Sequence, residues 1–183
     1  MILTASLLTA EVCLMQIYQV PQGDSVREID SRRHLFGFDL ISLEKLSISI
    51  GDDHLVFSRS GYGGQDWQME EPEKKTANPA ALSYLSDLLF GNQQFHSFVL
   101  VKGRLNQYGL DHPLAVVELR LKNKQIYHLR LGNILTDGKS IYGQIDNRER
   151  IYVLPIEFKY AVDRSLGEWK QSAASGKGKH NQS

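Results

Sequence analysis

The stretch Ala115-Val116-Val117-Glu118-Leu119-Arg120-Leu121, with Lys122-Asn123-Lys124-Gln125 and Ile126-Tyr127-His128-Leu129-Arg130-Leu131 behind it, decides the fold class. Ala115, Val117, Leu119 and Leu121 alternate with Val116, Glu118, Arg120 and Lys122. After the turn, Tyr127, Leu129 and Leu131 alternate with Ile126, His128 and Arg130. A period of two sends successive side chains to opposite faces of a pleated strand, so each run predicts a strand with one buried face. Asn123-Lys124 supplies the turn between them, and the pair reads as a β-hairpin.

Working outward, the same alternation appears upstream. Leu46, Ile48 and Ile50 alternate with Lys45, Ser47 and Ser49, Gly51-Asp52-Asp53-His54 turns the chain, and residues 55–59 return as a second strand. Gly61-Tyr62-Gly63-Gly64 reads as a flexible loop before a short strand around Trp67-Gln68-Met69. Asn78-Pro79 then predicts a helix start, because Asn accepts from free amides and Pro lacks the N–H that would be unpaired there. Leu82, Leu85, Leu88 and Leu89 recur at helical spacing, and Gly91 is expected to close the helix, over residues 79–90, in the left-handed conformation. Residues 95–101 predict a strand apolar enough to be central. Downstream, Asp137-Gly138 marks a turn before a strand over 140–146, and a further turn precedes 150–154. Phe158, Ala161, Val162 and Leu166 suggest a closing helix. The expectation is an α+β domain over residues 38–170: a mostly antiparallel sheet of seven to eight short strands, with one central and one C-terminal helix.

The flanks have a different character. Fourteen of residues 1–20 are apolar or aromatic and Glu11 is their one charge; as a helix they would span about 30 Å, the thickness of a hydrocarbon core. They are expected to form a hydrophobic helix able to anchor the chain in a membrane. Residues 21–37 read as a linker with turn formers and alternating charge, and 171–183 as a disordered tail.

Composition and motifs bound the chemistry. The 183 residues carry 21 Lys and Arg against 21 Asp and Glu, a net charge of zero. That balance argues against a nucleic-acid protein, which would show a basic excess. Hydrophobic residues at 42% and charged residues at 23% are those of a globular chain. Cys13 is the single cysteine, which rules out a disulfide framework and any multi-cysteine metal site. None of the six histidines pairs with another at metal-ligand spacing, and no G-x-S-x-G nucleophile elbow occurs. Gly138-Lys139-Ser140 resembles the end of a phosphate loop, but five residues separate it from Gly132 where four are required, and it joins two strands. His128 is expected on a polar strand face beside Arg120 and Arg130. Asp52-Asp53 and Glu70-Glu71 read as solvated turn charges. No catalytic, cofactor or metal residue is assigned.

The most distinctive local pattern is residues 104–113. Leu105 and Tyr108 would share one side of a single helical turn, Gly109 would end it at positive φ, and Leu110 would drop into the core. Asp111 would bond nearby backbone, and Pro113 would fix the approach to the next strand. Tyr108 and Leu110 are expected to be largely buried.

Leu105-Asn106-Gln107-Tyr108-Gly109-Leu110-Asp111-His112-Pro113 is similar to the L-x-x-Y-G-L-D-x-P signature of the domain of unknown function 4340 family. Trp67 before Glu71-Pro72, the leucines of 77–89, a strand pair ending Leu131-Gly132, Tyr142 and Trp169 match it in order. The resemblance is closest to short cyanobacterial members, with one domain copy behind an N-terminal hydrophobic segment. It implies a single-pass anchored protein, some of whose relatives are encoded beside ABC-type transporter components, and it carries no catalytic residue. In such members basic residues precede the apolar segment; here none does, so either the anchor has degenerated, with Glu11 as the sign, or the start lies upstream. The expected function is a membrane-tethered, non-enzymatic interaction module, an accessory subunit of a membrane complex. Its domain would be extracytoplasmic, with an unknown protein partner and no nucleic acid. The alternative is a soluble cytoplasmic ligand-binding or enzymatic domain whose site no motif reveals.

Overall fold

The computed structural model describes residues 35–60 and 66–171. The hydrophobic helix expected over 1–20, most of the expected linker, Cys13, the expected Gly61–Gly64 loop and residues 172–183 lie outside the described residues.

Among the described residues, nine strands form one sheet in which every pair is antiparallel: β1 (Leu43–Ile50), β2 (Asp53–Ser60), β3 (Asp66–Glu71), β4 (Lys75–Thr76), β5 (His96–Val99), β6 (Ala115–Leu121), β7 (Ile126–Ile134), β8 (Ser140–Ile145) and β9 (Arg150–Pro155). Their order is β4-β3-β2-β1-β6-β7-β8-β9-β5. Two helices, α1 (Pro79–Phe90) and α2 (Glu157–Val162), complete the α+β domain. The β6–β7 hairpin forms as the alternation predicts: Val117 faces Leu129, and β6 is buried at every second residue. The β1–β2 hairpin sits beside it, with Ile48 opposite both Leu55 and Val117.

The principal core lies between one face of the sheet and the helices. Leu46, Ile48, Phe57, Val117, Leu119, Leu129 and Ile141 meet Leu82, Leu85 and Leu89 of α1 and Phe158, Ala161 and Val162 of α2. Helix α1 starts as expected, the Asn78 side chain accepting from the Ala80 N–H with Pro79 at the first position. Its end differs. Gly91 is extended, at φ −62° and ψ 156°, and the helix stops as the Gly91 N–H bonds the Asp87 carbonyl. The chain leaves straight toward β5, so no left-handed residue is needed.

Further differences concern the edges. Strand β5 ends the sheet, and Val99 and Val101 are exposed, so residues 95–101 are an edge and not a central strand. Helix α2 stops at Val162, leaving Leu166 exposed and Trp169 in a turn. Trp169 is nonetheless fully buried against Phe57, ring centroids 5.2 Å apart. Two backbone bonds hold this segment: the Asn78 N–H to the Trp169 carbonyl and the Gln171 N–H to the Thr76 carbonyl. Leu35 and Phe36, read from sequence as linker, are buried parts of the core.

Glu70 and Glu71 lie in β3, not in a turn. Glu70 accepts from Lys45 Nζ at 2.6 Å and from Ser58 Oγ at 2.7 Å. The Lys45 hydrogen bond, then that of Ser58, holds its carboxyl below the ordinary carboxylate range. A depressed folded-state pKa stabilises above the unfolded value, and that stabilisation is lost as pH falls through the folded value. Glu70→Gln should therefore cost something at pH 7 and nothing in strong acid. The pair is partly exposed, so screening holds the cost below about 1 kcal/mol. Urea unfolding of both proteins across this range measures it.

Candidate functional site

Opposite the helices, the sheet has a second face whose two halves differ. The half over β7, β8, β9 and β5 is covered by the segment between β5 and β6. Leu105–Tyr108 form one 3₁₀ turn, and Gly109 closes it at φ 65° and ψ 24°, bonding back to the Asn106 and Leu105 carbonyls. A side chain at Gly109 would meet the Asn133 amide N at 2.9 Å and its side-chain oxygen closer still. Two constraints, positive φ and close approach, thus select glycine there. Leu110 is buried, but it lies over Gly132 on this second face, outside the principal core. Tyr108 is only half-buried. It packs edge-on to Tyr142 at 5.0 Å and tilted against Phe98 at 5.4 Å. Burial, then the nearby Tyr108 and Asp137, pushes the Tyr142 hydroxyl above its ordinary pKa. Asp111 Oδ1 accepts the His112 N–H at 3.0 Å, and Pro113 leads toward β6. Leu105, Tyr108, Gly109, Leu110, Asp111 and Pro113 therefore build one corner whose visible bonds are internal.

Among the described residues, no helix lies on the half over β2, β1, β6 and β7. Here Glu118 stands directly across from His128. His128 lies between two carboxylates, Nε2 at 3.5 Å from Glu118 and Nδ1 at 3.6 Å from Asp146, while its backbone N–H bonds Asp146 Oδ1. The register keeps His128 on the polar face with Arg120 and Arg130, as the alternation predicts, and adds the carboxylates: Arg120 reaches to Glu118, Arg148 to Asp146, and Arg130 to Asn147. With Lys45–Glu70 next to it, this is a surface of reciprocal ion pairs. Among the described residues no group of three or more His, Cys, Asp or Glu is placed to hold a metal ion.

Trp67 is not part of the corner. It faces Arg59 across β2–β3, the guanidinium carbon 5.2 Å from the ring centroid. Both line a cleft of about 640 Å³ with Asp66, Ser83, Ser86 and Asp87. Burial pushes the Arg59 guanidinium below its ordinary pKa, and among the described residues its Nε is solvent-free without a hydrogen-bond partner. A second cleft, about 840 Å³, opens where the described chain begins. Leu35, Phe36, Phe38, Ile41, Leu121 and Tyr127 line it, with Lys122 and Arg148 on the same wall. Phe36, Phe38, Phe90 and Tyr127 form one aromatic cluster here, centroids 4.7–6.2 Å apart. Sequence reading found neither cleft, because each is assembled from residues whose neighbours in the chain are unremarkable.

A family model described as a domain of unknown function (DUF4340) covers residues 67–174, more than half of the chain. It begins at Trp67 and spans the whole corner. No curated protein and no solved structure matches.

Proposed function

This chain belongs to the domain of unknown function (DUF4340) family, and from its own residues we propose that it is a membrane-tethered interaction module and not a catalyst. One observation carries the reading. A nine-stranded sheet, packed by helices on one face, leaves half of the other to a lattice of charged side chains that pair with one another. Such a face is soluble yet able to exchange its ion pairs for a partner's, which suits specific recognition. The apolar stretch over residues 1–20 supplies the tether in this reading. Among the described residues no helix is long and apolar enough to cross a membrane. The module would serve a transporter-like membrane complex as an accessory subunit, its domain outside the cytoplasm.

The test is fractionation of the tagged full chain. It should pellet with membranes and resist high-salt washing, and deletion of residues 1–21 should release a folded domain with an unchanged thermal midpoint. A fall of several degrees on deletion would show that the segment belongs to the core, and the tether would be wrong. The Arg59–Trp67 cleft favours a second reading, a soluble ligand-binding domain. Saturable binding of a small carboxylate, lost in Arg59→Ala, would support that one.

A further inference from the structure

We propose that the Arg59–Trp67 cleft binds an apolar amino acid or short peptide by both of its charged ends, the carboxylate on Arg59 and the ammonium on Asp66 and Asp87. This rests on the ligand-binding reading of the cleft, holds with or without the tether, and adds the chemistry of the ligand. The register sets Arg59 apart. In the β2–β3 pair Phe57 faces Met69, both buried in the principal core, and the next pair on that face is Arg59 with Trp67. A guanidinium therefore stands on the core side of the sheet. Its flat face packs on the indole, 5.2 Å from the centroid, and its Nε is out of contact with solvent. Among the described residues Arg59 makes neither an ion pair nor a hydrogen bond. A charge withdrawn from water without a counter-charge costs stability. A ligand carboxylate offsets that cost, because the planar guanidinium fork matches it with two parallel bonds.

The remaining charges of the lining call for a second group on the ligand. Among the described residues the charged side chains around the cleft are Arg59, Asp66 and Asp87. Neither aspartate has an ion pair or a side-chain hydrogen bond among the described residues, and neither pairs with Arg59. A plain anion on Arg59 would thus sit beside two unneutralised carboxylates. A ligand that also carries an ammonium group meets both signs, which a plain carboxylate does not. Between the charges the wall is apolar: Leu40 and Ile41 from the turn before β1, Trp67 from β3 and Leu82 from α1. Ser83 and Ser86, neighbours across one turn of α1, add hydroxyls on the facing side. The volume of about 640 Å³ lies in the range of small-ligand sites, about 300–1,000 Å³.

The test is calorimetric titration of the full chain, in mild detergent, with leucine, the dipeptide Leu-Leu, leucine amide and 4-methylpentanoate. Leucine amide lacks the carboxylate, and 4-methylpentanoate is leucine without its ammonium group. Leucine or Leu-Leu should bind saturably, the tighter of the two identifying a free amino acid or a peptide as the ligand. Leucine amide and 4-methylpentanoate should bind at least tenfold more weakly. Arg59→Gln should abolish binding of leucine and 4-methylpentanoate alike. Asp66→Asn with Asp87→Asn changes two exposed side chains, so the fold should persist; it should weaken leucine at least tenfold and leave 4-methylpentanoate no weaker. If 4-methylpentanoate binds as tightly as leucine, or leucine ignores the double substitution, the ammonium contact is overturned and the ligand-binding reading stands. Binding by none of the four overturns both.

Discussion

Trp169→Ala should be the most damaging single truncation in the domain, lowering stability by about 3–5 kcal/mol. The indole is fully buried, stacks on Phe57 and lies near the Arg164 guanidinium, 6.0 Å away. Removing it empties a cavity beneath a segment that has no regular secondary structure to hold it. That segment is fastened to Thr76 and Asn78 through backbone, so its loosening should reach β4 and the start of α1. At about 2–4 °C per kcal/mol for a chain of this size, the midpoint should fall by about 10 °C. Trp169→Phe separates packing from polarity. Among the described residues the buried indole Nε1 has no hydrogen-bond partner, so Phe loses volume but also removes an unsatisfied donor. It should cost well under half as much as Ala. Thermal unfolding of the three proteins decides this; an equal cost for Phe and Ala would mean that the indole N–H is bonded in solution.

Gly132→Ala should be the second large effect. A methyl group there collides with the Tyr108 carbonyl and presses on Leu110 at 3.1 Å. Backbone lies on both sides, so the corner must lift from the sheet, at a cost of about 1–3 kcal/mol and beyond for larger residues. The Tyr108–Tyr142 contact should open, and the Tyr142 hydroxyl, now less buried, should titrate at lower pH than in the parent. Gly109→Ala should act on the same corner through its positive φ and its contact with Asn133. Gly138→Ala is the matched control: φ is 65° but no atom lies within 4 Å of the added methyl. It should show the conformational cost alone, about 1 kcal/mol. A Gly132→Ala midpoint no lower than that of Gly138→Ala would mean that the corner is not seated on β7.

How much of this was legible in the sequence follows from how local each signal is. The β6–β7 hairpin, the start of α1 and the turn closed by Gly109 each depend on residues close in the chain, and each formed as its periodicity or turn chemistry required. Gly91, by contrast, stayed extended, Tyr108 only half-buried and Leu110 outside the principal core. What stayed hidden depends on partners far along the chain. Val99 and Val101 look like core residues, but they lie at the sheet's last strand, and hydropathy says nothing of strand order. Trp169 sits beyond its helix because Phe57 and the Thr76 backbone, not helical spacing, hold it. His128 was placed among arginines by alternation along its own hairpin, whereas Asp146 arrives from the β8–β9 turn. Both clefts are of this kind, and so is the charged half-face. The corner was recognised because its residues are contiguous, yet its role in covering the second face required knowing where Gly132 lies.

The strand order also sets a timetable for synthesis. Strand β1 pairs on one side with its neighbour β2 but on the other with β6, whose partner residues lie 65 to 78 positions further along the chain. A ribosome adding about 5–20 residues per second leaves that inner edge of β1 unpaired for several seconds after the first hairpin has emerged. An edge bearing Leu46 and Ile48 is an open template for another nascent chain during that interval. The newborn molecule therefore passes through a stage at which it is most vulnerable to a second copy of itself, and crowding of ribosomes on one message would aggravate it. Slower initiation or a holding chaperone should raise the folded yield more than any change made to the finished surface.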